Sequence, residues 1–206
     1  MDYYKIKQIC GEVKIIAVSK YVDENAIKAL YDKGQIDFGE NKVQDLVLKK
    51  QALPDKINWH FIGNLQKNKI NHLINAKPCM WQSCVSYELA KEVDKRLDYK
   101  LDTLFEINVA NELSKQGCDK NKAIDEYLKI KQDCKNINLI GVMSIGAMSD
   151  DELVVAKSFE DTKDIFDKLI PYGAKWCSMG MSGDFELAIK CGSNMVRLGS
   201  ILFKGN

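Results

Sequence analysis

An alternation runs through this chain and limits what it can fold into. Short apolar runs of strand length give way to amphipathic helical segments from one end to the other, about eight times over. Val13 to Ser19 precedes a helix near Glu24 to Lys33, and "IDFGE" one near Lys42 to Lys50. "WHFIG" precedes a helix near Lys67 to Ile74, and "CMWQS" one near Tyr87 to Leu97. "DTLFEINVA" leads, after a loop, to Lys122 to Asp133, and "NLIGVMS" to a long helix near Asp151 to Leu169. "AKWCSMG" precedes a short helix near Phe185 to Lys190, and "NMVRLGS" closes the chain, with Tyr3 to Ile9 as the candidate helix partner of this last strand. A βα unit repeated in this way predicts an α/β fold, a single (β/α)8 TIM barrel. An open doubly wound sheet is the alternative. The 206 residues suit one domain spanning 1–206, short for a barrel and so with short loops.

In a barrel, ligands meet the ends of strands. The stretch "KIIAVSK" is an apolar run that stops at Lys20, where a strand hands over to a βα loop. Lys20 is either a solvated lysine or an amine placed to attack a carbonyl compound. Phosphate sites in barrels gather at the loops after the seventh and eighth strands. Here those loops read "CSMGMSGDFELAIKCG" and "MVRLGS", offering Gly180, Ser182, Gly183, Gly199 and Ser200. Taken singly, Ser182 reads as a helix cap and Gly199 as a turn; together they sit where an anion would be held. Arg197 beside them can meet a phosphate or a ring nitrogen. A phosphate site and a strand-end lysine in one mouth fit pyridoxal 5′-phosphate held as a Schiff base. A dehydrated site near Arg197 would favour the neutral amine that this attack needs.

Composition narrows the rest. Thirty basic and 29 acidic residues leave a formal net charge of +1, so nothing global favours nucleic acid or an anionic membrane. Seven scattered cysteines, odd in number and without a C-x-x-C pair, suggest reduced thiols in a cytoplasm. The N-terminal "MDYYKIKQICGEVK" has no apolar signal core, and no run is long enough to span a membrane. With two histidines, a His-rich metal site or a histidine triad is hard to build.

The segments "AVSK", "FGENKVQ", "WHFIGNLQKNK", "INVANELSKQGC", "GVMSIG", "CSMGMSGDFELAI" and "VRLGS" resemble, in order, those of the pyridoxal phosphate homeostasis protein family. The resemblance covers the chain from Ile15 onward. It implies the fold of the barrel domain of alanine racemase, with pyridoxal 5′-phosphate as cofactor. Lys20 would form the internal aldimine, Asn41 would approach the ring edge, Ser182, Gly199 and Ser200 would bind phosphate, and Arg197 would face the pyridine nitrogen. An arginine there keeps its protons and leaves that nitrogen unprotonated, which weakens carbanion chemistry. The chain departs from the family in a short N-terminus, in Gln82 and Val85 where the fourth strand commonly carries a polar pair, and in ending at Asn206.

Other residues keep two readings each. Lys67 and Lys69 either draw phosphorylated vitamers to the mouth or face water; His60 is a satisfied core histidine or an acid–base group; Glu40 is a mouth carboxylate or not. Trp59, Trp81, Trp176 and Cys177 read as packing. The function implied is a protein that carries the cofactor on Lys20 and maintains vitamin B6 homeostasis in the cell without turnover of its own. It would be a monomer, handling other B6 vitamers and passing cofactor to apo-enzymes. The alternative is an amino-acid racemase-like enzyme, which needs a second proton carrier such as Tyr21 or Tyr87. A lysine aldolase acting on a sugar phosphate lacks a carboxylate set near the lysine.

Overall fold

The computed structural model describes residues 2–110, 112 and 115–203. Of the family-like segments, Asn111, Leu113 and Ser114 lie outside the described residues, as do the last three, 204–206. In chain order the elements are α1 (Tyr3–Cys10), β1 (Lys14–Val18), α2 (Glu24–Asp32), β2 (Asp37–Glu40), α3 (Val43–Ala52), β3 (Asn58–Phe61), α4 (Ile70–Ala76), β4 (Met80–Cys84), α5 (Tyr87–Asp94), β5 (Leu101–Asn108), β6 (Cys118–Asp119), α6 (Ala123–Asp133), β7 (Ile137–Ser144), α7 (Glu152–Leu169), β8 (Trp176–Ser178), α8 (Phe185–Lys190), β9 (Met195–Leu198) and α9 (Ser200–Phe203).

Eight strands run parallel in the order β4-β3-β2-β1-β9-β8-β7-β5, and β5 pairs back onto β4 to close the ring. The expected (β/α)8 barrel is therefore present, and the open-sheet alternative fails on that closing pair. The two-residue β6 pairs with β5 on the edge away from β7, beyond the stretch paired with β4, and was not foreseen.

Local chemistry sets the element boundaries. Asp23 accepts the Ala26 amide at 2.8 Å and starts α2; Ser86 accepts that of Leu89 and starts α5. On α7, Val155, Phe159, Thr162, Phe166 and Leu169 are buried at intervals of three and four residues, the stripe a helix needs to lie on a sheet. Sequence reading began the fourth helix at Lys67, but Lys67–Lys69 form a single 3₁₀ turn before α4 takes over. The first helix, α1, lies against β1 and α8 and buries Tyr3, Ile6 and Cys10, so it does close the seam beside the last strand.

Strand alternation divides the core in two. Ile15 and Ala17 face the helix layer, while Ile16 joins Met80, Leu104, Ile140, Met143 and Met195 inside the barrel. Trp59 and Trp81 belong to the outer layer, and Trp176 packs on the inner cluster, all as expected of packing residues. Cys177 is fully buried, and burial pushes its thiol up to about 12. Through the apolar interior runs a seam of polar side chains, among them Asp37, His60, Gln82, Ser178 and Arg197, none more than 7% exposed.

Candidate functional site

One cavity of about 610 Å3 opens at the C-terminal ends of the strands. It brings together all six residues singled out from the sequence: Lys20, Asn41, Ser182, Arg197, Gly199 and Ser200. They come from loops after β1, β2 and β8 and from β9 and its loop, up to 180 positions apart between Lys20 and Ser200. A larger cleft of about 870 Å3 lies outside, between the loop after β7 and α8; it shares Ser182 and Gly183 but contains neither Lys20 nor Arg197.

Lys20 follows β1 in the same inward register as Ile16 and Val18, and its side chain is exposed in the mouth. The dehydrated setting expected for the amine is thus not met by the protein alone. The loop is held from below. Glu40 is fully buried; its Oε1 accepts from Ser19 Oγ at 2.7 Å and from Lys49 Nζ at 2.6 Å, and Lys49 also donates to the Ser19 carbonyl. Glu40 therefore does not line the mouth, as one reading had it, but anchors the residue before Lys20. Tyr21, directly after, is 84% exposed with φ +65°, a left-handed backbone that strains a residue with a Cβ.

Asn41, which lines the cavity, contributes a buried Oδ1 with no hydrogen-bond partner, an acceptor short of a donor. Gly63 lies close beneath it: a Cβ there would overlap the Asn41 carbonyl, so only glycine allows the approach. The loop after β3 supplies Ile62, Gly63 and Asn64 to the mouth; Lys67 and Lys69 do not line it, so the vitamer-attracting reading of these lysines finds no support.

On the other side, Ser182 is not the cap of α8. That place belongs to Asp184, and Ser182 Oγ accepts the Gly199 amide at 3.0 Å, tying the loop after β8 to the loop after β9. Arg197 is buried and held in place: Nη1 donates to the carbonyl and hydroxyl of Ser178, and Nη2 to the Ser144 carbonyl, each at 2.8 Å. Burial lowers its ionisation to about 10, which leaves the guanidinium charged at neutral pH.

Glu106, Lys115 and Gln116 also line the cavity, and none of them was singled out from the sequence. Glu106 lies on β5, 6% exposed; burial pushes its carboxyl up to about 7 against the opposing pull of Arg197. The available signal was a lone acid inside the apolar run "TLFEIN", two residues from inward-facing Leu104. Lys115 and Gln116 approach from the loop after β5, Lys115 Nζ bridging Glu112 and the Gly146 carbonyl at 2.8 and 2.6 Å. Gln82 and His60, by contrast, lie deeper in the barrel. Their polar groups satisfy each other at 3.0 Å, which gives Gln82 a core partner in the fourth strand and favours the core reading of His60. Neither proposed tyrosine lines the mouth: Tyr87 Oη donates to Asp133 on α6, and Tyr21 faces outward.

Comparison with known proteins adds four findings. The pyridoxal phosphate homeostasis protein of Helicobacter pylori strain J99 is 47% identical over 196 residues, covering 93% of this chain and 87% of that protein. The structure of PipY from Synechococcus elongatus PCC7942 with pyridoxal phosphate bound superposes with a TM-score of 0.83 at 28% identity, covering 94% and 93% of the two chains. Alanine racemase of Clostridium difficile 630 shares the fold, with a TM-score of 0.81 at 18% identity over 96% of this chain and 57% of the enzyme. A family model for the N-terminal domain of alanine racemase matches residues 2–206, and with that match the chain belongs to the alanine racemase N-terminal domain family, beside the pyridoxal phosphate homeostasis proteins.

Proposed function

We propose that residues 1–206 form a single domain that binds pyridoxal 5′-phosphate in the barrel mouth, carries it as a Schiff base on Lys20, and serves vitamin B6 homeostasis. The observation that carries this reading is the convergence of Lys20, Asn41, Ser182, Arg197, Gly199 and Ser200 on one cavity of about 610 Å3, within the range of small-ligand sites. The donor set suits the cofactor. Lys20 supplies the amine for its aldehyde, Ser182 and Ser200 supply hydroxyls and the turn at Gly199 the Ser200 amide for its phosphate, and the charged Arg197 faces its ring nitrogen. Asn41 Oδ1, short of a donor, meets the ring edge. When bound, the cofactor supplies an electron sink; Arg197, keeping its protons, holds that sink weak. The protein then buffers and delivers cofactor, acting in the cytoplasm as a monomer, with other B6 vitamers as further ligands and apo-enzymes as recipients.

One observation favours the second reading, a racemase-like amino-acid enzyme. Glu106 shares the cavity with Lys20 and ionises near neutrality, where a general acid–base group works best. Incorporation of solvent deuterium at Cα of alanine by the cofactor-loaded protein, lost in Glu106→Gln, would establish it.

The main reading is tested by the visible spectrum of protein mixed with pyridoxal phosphate, wild type beside Lys20→Ala, before and after borohydride. A yellow band that borohydride converts to a covalent adduct on Lys20, absent in the variant, is the expected result. A band that survives in Lys20→Ala overturns the assignment.

A further inference from the structure

The polar seam inside the barrel is continuous, and it has a direction. At the end of the barrel opposite the mouth, Asp37 accepts from Lys14 Nζ at 3.1 Å and meets His60 Nε2 at 3.0 Å. His60 Nδ1 lies 3.0 Å from Gln82 Nε2, Ser178 Oγ donates to Gln82 Oε1 at 2.9 Å, and Arg197 Nη1 donates to the same Ser178 hydroxyl at 2.8 Å. Gln82 and Ser178 are 96 residues apart, so the amide on β4 spans the lumen to reach β8.

The protonation pattern follows from the ends. Burial pushes Asp37 up, but the hydrogen bond from His60 and the ammonium of Lys14 outweigh it and hold the carboxyl below its usual range, so it is an acceptor only. Burial lowers His60, which is neutral in this setting. A neutral imidazole facing a carboxylate with Nε2 must carry its proton there, so Nδ1 is an acceptor and Gln82 must present its NH2 to it. The amide oxygen then faces Ser178, whose hydroxyl hydrogen points at Gln82 and whose lone pairs point at Arg197. Each group has one orientation that satisfies its neighbours. Such chains polarise cooperatively, and a group left half-satisfied in a dry interior is costly, so the orientation at one end is imposed on the other.

We propose that Asp37, His60, Gln82 and Ser178 are positioning residues: a one-way hydrogen-bond chain through the barrel by which the pole opposite the mouth fixes how Arg197 is presented to the ligand. The consequence for a ring nitrogen rests on the function proposed above; the chain itself does not. Its role differs from simple satisfaction of buried groups in one respect. Independent structural roles predict that changes at Asp37 and at Gln82 add, whereas a chain predicts that cutting it at Gln82 silences the pole.

The composition makes this measurable, because the sequence holds only two arginines, Arg96 and Arg197, and two histidines, His60 and His72. In ligand-free protein labelled with 15N-arginine, the two Nη groups of Arg197 should give separate signals, each being tied to its own partner. Asp37→Asn should speed rotation about the Nε–Cζ bond at least threefold, and weaken pyridoxal phosphate binding roughly three- to tenfold. In the Gln82→Met background, the same Asp37→Asn change should alter neither. Equal effects of Asp37→Asn in the two backgrounds, or no effect on Arg197 rotation in either, overturn the proposal. The rotation measurement needs no ligand, so failure of the chain is distinguishable from failure of pyridoxal phosphate to bind. Ser178→Ala, which leaves a small pocket and no new polar group, provides the cut independently if Gln82→Met does not fold.

Discussion

Replacing Glu106 by glutamine should stabilise the ligand-free protein, and by an amount that depends on pH. Glu106 is 6% exposed inside the barrel, and its carboxyl is lifted from 4.5 to about 7 by burial, with Arg197 pulling the other way. In the unfolded chain the carboxyl ionises at the ordinary value. Between those two values the folded protein therefore binds a proton that the unfolded chain does not, and stability falls as pH rises. The full cost, present above the folded value, is about 3 kcal/mol; at pH 5 it is under about 1 kcal/mol. Glutamine has the shape of the neutral acid and cannot ionise, so it removes the fall. Urea unfolding of wild type and Glu106→Gln at pH 5 and pH 8 measures it: the variant should gain little at pH 5 and about 3 kcal/mol at pH 8, equivalent to roughly 6 to 12 °C in melting temperature. Arg197 stays charged across this window, so its contribution does not change sign. An equal gain at both pH values, or a loss at pH 8, would refute the reasoning.

Three other perturbations probe the supports of the mouth. Lys49→Met leaves the fully buried Glu40 carboxylate without its cation and should cost about 3–5 kcal/mol in urea unfolding; a cost below about 1 kcal/mol would mean that the Lys49 contact at 2.6 Å contributes little. Gly63→Ala drives a Cβ into the Asn41 carbonyl, so it should destabilise by about 1–3 kcal/mol and weaken pyridoxal phosphate in an absorbance titration, and wild-type affinity would contradict the close approach. Tyr21→Gly releases the left-handed strain at an exposed position and should raise stability by about 1 kcal/mol, read as a melting temperature higher by roughly 2–4 °C. A lower melting temperature would show that the tyrosine ring contributes more than the strain costs.

Much of the architecture was legible because it rests on local periodicity. The apolar runs that alternate with three- and four-residue stripes announce strand and helix without knowledge of their neighbours, and the predicted Phe185 to Lys190 helix is found with those bounds. Lys20 could be placed at a strand end for the same reason: the run Ile15 to Val18 stops, and the next residues carry polar and capping chemistry. Local pattern did not separate a 3₁₀ turn at Lys67–Lys69 from the first turn of a helix, since both have similar composition.

Local sequence pattern sufficed to show that βα units repeat, that a lysine follows the first strand, and that Gly/Ser loops end the last two. Barrel closure alone decided the rest. It carried Glu106 into the cavity, turned Glu40 away from it, gave the Gly199 amide to Ser182, and set Gln82 against Ser178 across 96 residues of chain. A strand's alternation says which residues share a face, but not which residues on other strands they meet there. That depends on the tilt and register with which the strands close around a common interior.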